Sequence, residues 1–229
     1  MKKIFTYFTK TEWTLWLSSI TLIVVAFLFS PEKDYLSFVS SLVGVTALIF
    51  SAKGNPLGQV FMIIFCIMYG VISYFFAYYG EVLTYVFMTG PMAVYALISW
   101  LKNPYEGNHA EVRVSKINSK DVKMMLAMSL VVTVIFYFIL RAFGTANLLI
   151  STLSVTTSFL AVFLTAKRSP YYALAYAAND VVLIILWILA SISNPEYIST
   201  VACFAVFLAN DIYGFISWRR MEERQQIKE

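Results

Sequence analysis

Residues 166–192 read AKRSPYYALAYAANDVVLIILWILASI. From Tyr171 to Ile192 the run is apolar apart from Ser191 near its end and one Asn-Asp pair, Asn179-Asp180, near its middle. A helix needs about 20 such residues to cross the hydrocarbon core of a bilayer. The apolar residues are continuous, whereas a lipid-facing strand would alternate with a period of two. A membrane helix is therefore expected and a β-barrel is excluded. A carboxylate at that depth costs about 2.5–3.5 kcal/mol on insertion scales, so it belongs inside a bundle or against a wet cavity.

Working outward, seven more runs have the same character: Trp13–Ser30, Tyr35–Ala52, Leu57–Tyr79, Val82–Leu101, Met124–Phe143, Asn147–Ala166 and Ile198–Trp218. The expected fold class is an all-α membrane protein with eight transmembrane helices. Composition agrees, with 60% of the 229 residues hydrophobic and 13% charged. Soluble domains run at about 45–50% and about 25%. That excludes a disordered chain, a collagen-like chain and a soluble globule. The first run follows Lys2, Lys3 and Lys10, as a signal peptide would. Its length and the lack of a small-residue cleavage pattern after Phe29 make it a retained span. Pro56, Pro170 and Pro195 stand at run boundaries, where a missing N–H is cheapest. Pro91 stands inside the fourth run and should kink it or mark irregular backbone.

Basic residues orient the bundle. With the N-terminus inside, the inner segments hold Lys2, Lys3, Lys10, Lys53, Lys102, Arg113, Lys116, Lys120, Lys123, Lys167, Arg168, Arg219, Arg220, Arg224 and Lys228. The outer segments hold only Lys33 and Arg141 of the 17. Both termini are expected in the cytoplasm, in a bacterial inner membrane. The net charge of +4 then reflects topology, and a nucleic-acid partner is not expected.

The corner AKRSP at 166–170 echoes AKGNP at 52–56, and YGFISWRR from Tyr213 echoes YALISWLK from Tyr95. The displacements are 114 and 118 residues. Two anchors in matched order describe an internal repeat of three spans. The single span between the copies restores a common direction, giving an N-terminal helix plus 3+1+3 parallel repeats, the plan of SWEET-type transporters. The expected segments are a tail and extra span (1–34), a first repeat (35–101), a cytoplasmic loop (102–123), a linker span (124–143), a second repeat (144–218) and a cytoplasmic tail (219–229).

A site between parallel repeats should lie near the midplane. Asp180, about ten residues past Pro170, is at that depth; Asp211 in Asn210-Asp211 is nearer the cytoplasmic end. At 100° per residue Tyr176 lies 40° and Trp187 lies 20° from Asp180, so the three share a helix face. Aromatic rings beside a carboxylate suit a ring-bearing vitamin or nucleoside. The expected substrate-binding residues are Asp180, Asn179, Tyr176 and Trp187, with Asn210, Asp211, Gln59, Tyr69, Tyr85 and Thr89 as further lining. By the displacements above, Phe65-Cys66 and Met92-Ala93 occupy the first-repeat positions of the two Asn-Asp pairs. Asn210 and Asp211 could instead serve interhelical hydrogen bonding.

No catalytic residue, metal site or cofactor is expected. The chain has no P-loop, GxSxG elbow, HExxH pair or glycine-rich dinucleotide fingerprint. Cys66 and Cys203 lie in apolar runs as free thiols, and His109 has no clustered ligands. Competing readings are a membrane enzyme or accessory subunit using His109 and Glu111, and a proton-coupled carrier using Asp180.

LVGVTALIFSAKGNPLGQ from Leu42, YYGEVLTYVFMTGPM, ISW, LTAKRSP and the Asn-Asp of span seven together resemble the Pnu family of vitamin transporters, over about residues 38–220. The resemblance implies facilitated uptake of nicotinamide riboside or a similar nucleoside-like vitamin, trapped by a cytosolic nucleoside or vitamin kinase. It implies a small-molecule substrate, membrane lipid around the protein, and no ATP site. Homo-oligomerisation is left open. Where nicotinamide riboside carriers of the family have WxxW, this chain has Ala173 and Tyr176. Deoxynucleosides, thiamine and riboflavin, which related members resemble carriers of, are the alternative cargoes.

Overall fold

A computed structural model describes residues 7–29, 33–75, 79–193 and 198–227. Lys2, Lys3, Ser30, residues 76–78 of the third expected run, Pro195 and Lys228 lie outside the described residues.

Eight helices among the described residues are long and apolar enough to cross a membrane. They are α1 (Lys10–Phe29), α2 (Tyr35–Ala52), α3 (Leu57–Phe75), α4, α5 (Ser119–Ala142), α6 (Leu148–Ala166), α7 (Tyr171–Ser193) and α8 (Ile198–Ile227). The α4 span consists of a helical turn (Tyr79–Val82), a π-helical stretch (Leu83–Thr89) and a regular helix (Gly90–Leu101). The irregular backbone expected at Pro91 is this π-helical stretch. Pro91 has no N–H, and just before it the Gly90 N–H reaches back five residues to the Tyr85 carbonyl.

Local chemistry starts these helices. Thr9 and Glu12 form a reciprocal capping box on α1, with N–H to side-chain distances of 3.2 and 2.7 Å. Asp34 caps α2 by accepting from the N–H groups of Leu36 and Ser37. Asn118 caps α5 by accepting from Asp121 N–H at 2.8 Å. This last cap sets a difference from the sequence reading, since α5 begins at Ser119 and not at Met124. Residues 104–112 of the polar loop form a small antiparallel hairpin, β1 (Pro104–Tyr105) and β2 (Asn108–Val112). Residues past Trp218, expected as tail, continue α8 to Ile227.

The two corners have the same backbone. Gly54 (φ 66°) and Arg168 (φ 58°) both take the left-handed conformation, 114 positions apart. Asn55 N–H donates to the Phe50 carbonyl and Ser169 N–H to the Leu164 carbonyl, each at 3.0 Å. These bonds end α2 and α6 in the same way. The hairpin loop straps both corners: Val112 N–H donates to the Gly54 carbonyl, and Ser115 N–H to the Arg168 carbonyl. The α8 extension holds that strap, because Gln225 accepts from Val114 N–H and donates to the Val112 carbonyl.

The last helix of each half packs on the first helix of the other, α4 on α6 and α8 on α2. Trp100 Nε1 donates to the Thr165 carbonyl at 2.9 Å, and Trp218 Nε1 to the Ser51 carbonyl at 2.8 Å. Helix α1 lies against α2 and α8. Buried Glu12 pairs with Lys53 at 3.0 Å and accepts from Tyr213 Oη at 3.2 Å. Helix α5 packs on α6, where the Thr133 and Thr156 hydroxyls meet at 2.7 Å. Most of its surface is left open, as suits a lipid-facing span.

Candidate functional site

Two apolar clusters bracket a polar layer. Trp100, Val112, Tyr172, Ala173, Trp218 and Met221 form the cluster at the basic end of the bundle. The second, deeper in the bundle, contains Phe65, Leu183, Trp187, Phe204 and Phe207. Along α7, Asp180 falls between Ala173 of the first cluster and Trp187 of the second, about 10 Å from each. Tyr176 packs on the first cluster, and Tyr69 and Tyr85 pack on the second.

Asp180 and Asp211 are both buried, and their carboxyl groups come within hydrogen-bonding reach of one another. A helical register alone could not show this, because the residues lie on different helices. Asp180 Oδ2 is buried without a hydrogen-bond partner. Tyr85, from the first half, and Tyr176, from the second, are both within electrostatic reach of Asp180. Tyr69 and Tyr85 stand with ring centroids 4.5 Å apart. The Tyr176 hydroxyl bonds to Thr165 at the end of α6. Thr165 in turn donates to the Ala161 carbonyl, which leaves its oxygen as the acceptor.

The other expected residues divide. Asn179 is turned away from the carboxyl pair toward α6. Its Oδ1 accepts from Thr157 at 2.8 Å, Ser158 at 3.1 Å and Ser154 at 3.4 Å. Asn210 Nδ2 donates to Ser19 of α1 at 2.9 Å, so this side chain ties α1 to α8. Both asparagines thus make interhelical hydrogen bonds. Trp187 forms part of the apolar wall. Thr89 is buried at the end of the π-helical stretch, and Gln59 is buried in the first turns of α3, two helical turns before Cys66.

Cys66 and Cys203 are neighbours of the site that the sequence reading set aside. Cys66 lies within reach of both Tyr85 and Tyr176, and Cys203 of Asp180. The signal was available for Cys66, which occupies the first-half position equivalent to Asp180. Gly90 of α4 faces Cys66 there; a Cβ on it would stand an ordinary 3.7 Å from Cys66 Cβ, while the Tyr85 carbonyl, at 3.1 Å, is its tight neighbour.

A separate cavity of about 300 Å3 opens at the basic end, lined by Tyr7, Glu12, Lys53, Glu111, Arg220 and Arg224 among others. None of the residues expected to bind substrate lines it. Tyr7 there accepts from Asn55 Nδ2 at 2.7 Å. Burial raises its phenol above the ordinary value, and the Asn55 bond partly offsets this. His109 and Glu111 lie in the hairpin, and Glu111 pairs with Arg224 at 2.5 Å.

A family model described as nicotinamide mononucleotide transporter matches residues 34–220. The chain belongs to that family. It is a transporter and not an enzyme, and it crosses the membrane several times. It is 26% identical over 204 residues to the nicotinamide riboside transporter PnuC of Neisseria mucosa, covering 87% of this chain and 77% of that one. It is 20% identical over 200 residues to the protein of the same name from Haemophilus influenzae, covering 87% and 85%. A crystal structure of the vitamin B3 transporter PnuC superimposes with a TM-score of 0.82 at 24% identity, over 95% of this chain and 94% of the other. The fold of the family is therefore the fold of this chain.

Proposed function

We propose that this family member carries nicotinamide riboside, or a closely similar nucleoside-like vitamin, across a bacterial cytoplasmic membrane by facilitated diffusion. Both termini face the cytoplasm in this reading, supported by the 15-to-2 division of basic residues between the two sides. The parallel three-helix halves would rock about the bonds that Trp100 and Trp218 make across the bundle. A cytosolic kinase would then trap the arriving molecule by adding a charged phosphate.

The observation that carries the proposal is the polar layer itself. Asp180 and Asp211 offer acceptors for ribose hydroxyls, and Tyr69, Tyr85 and Tyr176 offer ring faces, with apolar clusters on either side. The same layer favours a riboside over a mononucleotide. A phosphate would meet a buried carboxyl pair with no Lys or Arg of the described residues acting on it, so its charge would be unbalanced. The Ala173 and Tyr176 departure keeps deoxynucleosides, thiamine and riboflavin as the second reading. Ala173 is fully buried near Gly214, where a Cβ would stand 3.5 Å from its own, and no large ring fits there.

The test is uptake into proteoliposomes holding the purified protein, with labelled nicotinamide riboside, its mononucleotide, thymidine and thiamine. Saturable, gradient-driven uptake of the riboside that survives collapse of a proton gradient is expected. Uptake that needs the proton gradient would replace facilitated diffusion with coupling. Uptake of the mononucleotide in preference to the riboside would overturn the reading of the site.

A further inference from the structure

The two corners share a backbone and differ in their side chains. Polar groups at the first are matched: Lys53 pairs with Glu12, Gly54 has no side chain, and Asn55 donates to the Tyr7 hydroxyl and accepts from Leu57 N–H. At the second, Lys167 pairs with Asp121, but the next two positions are Arg168 and Ser169. Arg168 Nε is buried with no hydrogen-bond partner, and no carboxylate among the described residues acts on this guanidinium. Ser169 is 1% exposed, and its hydroxyl also has no partner. Buried donors left unmade are rare in folded proteins, because each forfeits its hydration without return. The backbone adds to this cost. Arg168 holds φ 58°, a conformation that favours glycine, and glycine is what stands at the equivalent Gly54.

A second guanidinium lies alongside. Ser115 N–H of the strap donates to the Arg168 carbonyl at 3.0 Å. Arg113 stands two residues earlier, its own N–H fixed on the Asn103 carbonyl at 2.8 Å. Burial, and then the neighbouring charge of Arg113, lower the Arg168 guanidinium from its ordinary value. Just past Ser169 begins α7, whose N-terminus adds positive potential at the same place. Membrane topology asks only for basic residues near helix ends. It does not ask for a half-buried arginine set against another in a glycine conformation.

We propose that Arg168 and Arg113 hold a phosphate group at the basic end of the bundle, with the Ser169 hydroxyl beside them as a further donor. Guanidinium forks match phosphate oxygens in pairs, and one phosphate has oxygens enough to face both forks. A ligand shared between Arg113 of the strap and Arg168 of the corner fastens the strap over the second half. The site is separate from the midplane layer and stands whatever the carrier transports. The phosphate belongs either to an anionic lipid at the membrane edge or to a soluble phosphate ester, which present the same chemistry to the two arginines.

Thermal unfolding and calorimetry of the purified protein in a neutral detergent test this. The lipid probe is dioctanoyl phosphatidylglycerol, with dioctanoylglycerol, which lacks the phosphate, as its control. The soluble probes are potassium phosphate and nicotinamide mononucleotide, with potassium chloride at matched ionic strength as theirs. At least one phosphate probe should bind saturably and raise the melting temperature, and its control should not. That binding should weaken about tenfold or more in Arg168→Gly and in Arg113→Gln. It should stay within about twofold in Lys10→Gln, which removes an exposed basic residue of α1. Glycine suits the left-handed corner, so Arg168→Gly without ligand should melt no lower than the unaltered protein. If it fails to fold, Arg113→Gln decides. A response to phosphatidylglycerol alone assigns the site to a lipid headgroup, and a response to a soluble probe assigns it to a phosphate ester. Absence of saturable binding by every phosphate probe, or binding that either folded arginine variant leaves unchanged, overturns the proposal and leaves the carrier reading untouched.

Discussion

The indole rings of Trp100 and Trp218 stand 5.3 Å apart at the basic end of the bundle, and each donates its N–H across to the opposite half. The acceptors, the Thr165 and Ser51 carbonyls, are 114 residues apart, and each also accepts from the left-handed corner residue three positions on. The two tryptophans therefore tie each half's last helix to the other half's corner, in a reciprocal lock.

Replacing either tryptophan by Phe keeps most of the ring packing and removes one indole bond. Because the carbonyl retains its backbone donor, the expected cost is about 1 kcal/mol for each variant, equal within error. Thermal unfolding in detergent measures it. The double variant should depart from additivity, since the rings are in contact. A large cost for one and none for the other would show that the two bonds are not equivalent.

Glu12 joins α1 to the rest through Lys53 and Tyr213. Glu12→Gln leaves the partly buried Lys53 ammonium without its ion pair, and a loss of about 1–3 kcal/mol is expected. The more accessible pair of Lys167 and Asp121, 2.7 Å apart, is the contrast: Asp121→Asn should cost less than Glu12→Gln. Chemical denaturation of the two variants side by side would read the difference.

Gly58 and Gly214 separate steric need from sequence habit. A Cβ at Gly58 would stand 2.3 Å from Ser51 Oγ and 2.6 Å from its backbone nitrogen, so α3 would have to move off the end of α2. Gly58→Ala should cost about 2–3 kcal/mol. At Gly214 the nearest atom is 3.5 Å away, an ordinary contact. Gly214→Ala should stay within about 1 kcal/mol and gain helix propensity. Melting temperatures of the two alanine variants decide it.

Asn179 and Tyr176 lie three residues apart on α7 and are expected to fail differently. Asn179→Ala removes the acceptor of three α6 hydroxyls and should cost about 1–3 kcal/mol of stability. Tyr176→Phe removes the bond to Thr165 and keeps the ring, so its effect on stability should be near 1 kcal/mol. Tyr176→Ala removes a ring face and should weaken ligand binding about tenfold. Paired calorimetry and unfolding would show the division; a larger binding loss in Asn179→Ala than in Tyr176→Ala would return Asn179 to the site.

Sequence alone determined the spans, because length and continuous apolarity are local properties that the bilayer imposes on each helix separately. The corners were legible for the same reason: a left-handed residue followed by Pro two positions later ends one helix and starts the next, and AKGNP and AKRSP write that twice. It also singled out Asp180 and Asp211 as costly, since charge in hydrocarbon is an expense readable from position. Which carboxylate and which asparagine faced what was decided only by tertiary structure. Helical periodicity puts Tyr176, Asp180 and Trp187 on one face, and it cannot say that Asp211 of α8 arrives there too. Nor can it say that Asn179 turns to the α6 hydroxyls, or Asn210 to Ser19 of α1. Those outcomes depend on how helices distant in sequence cross, and crossing is set by side-chain packing across the bundle, which no single helix encodes.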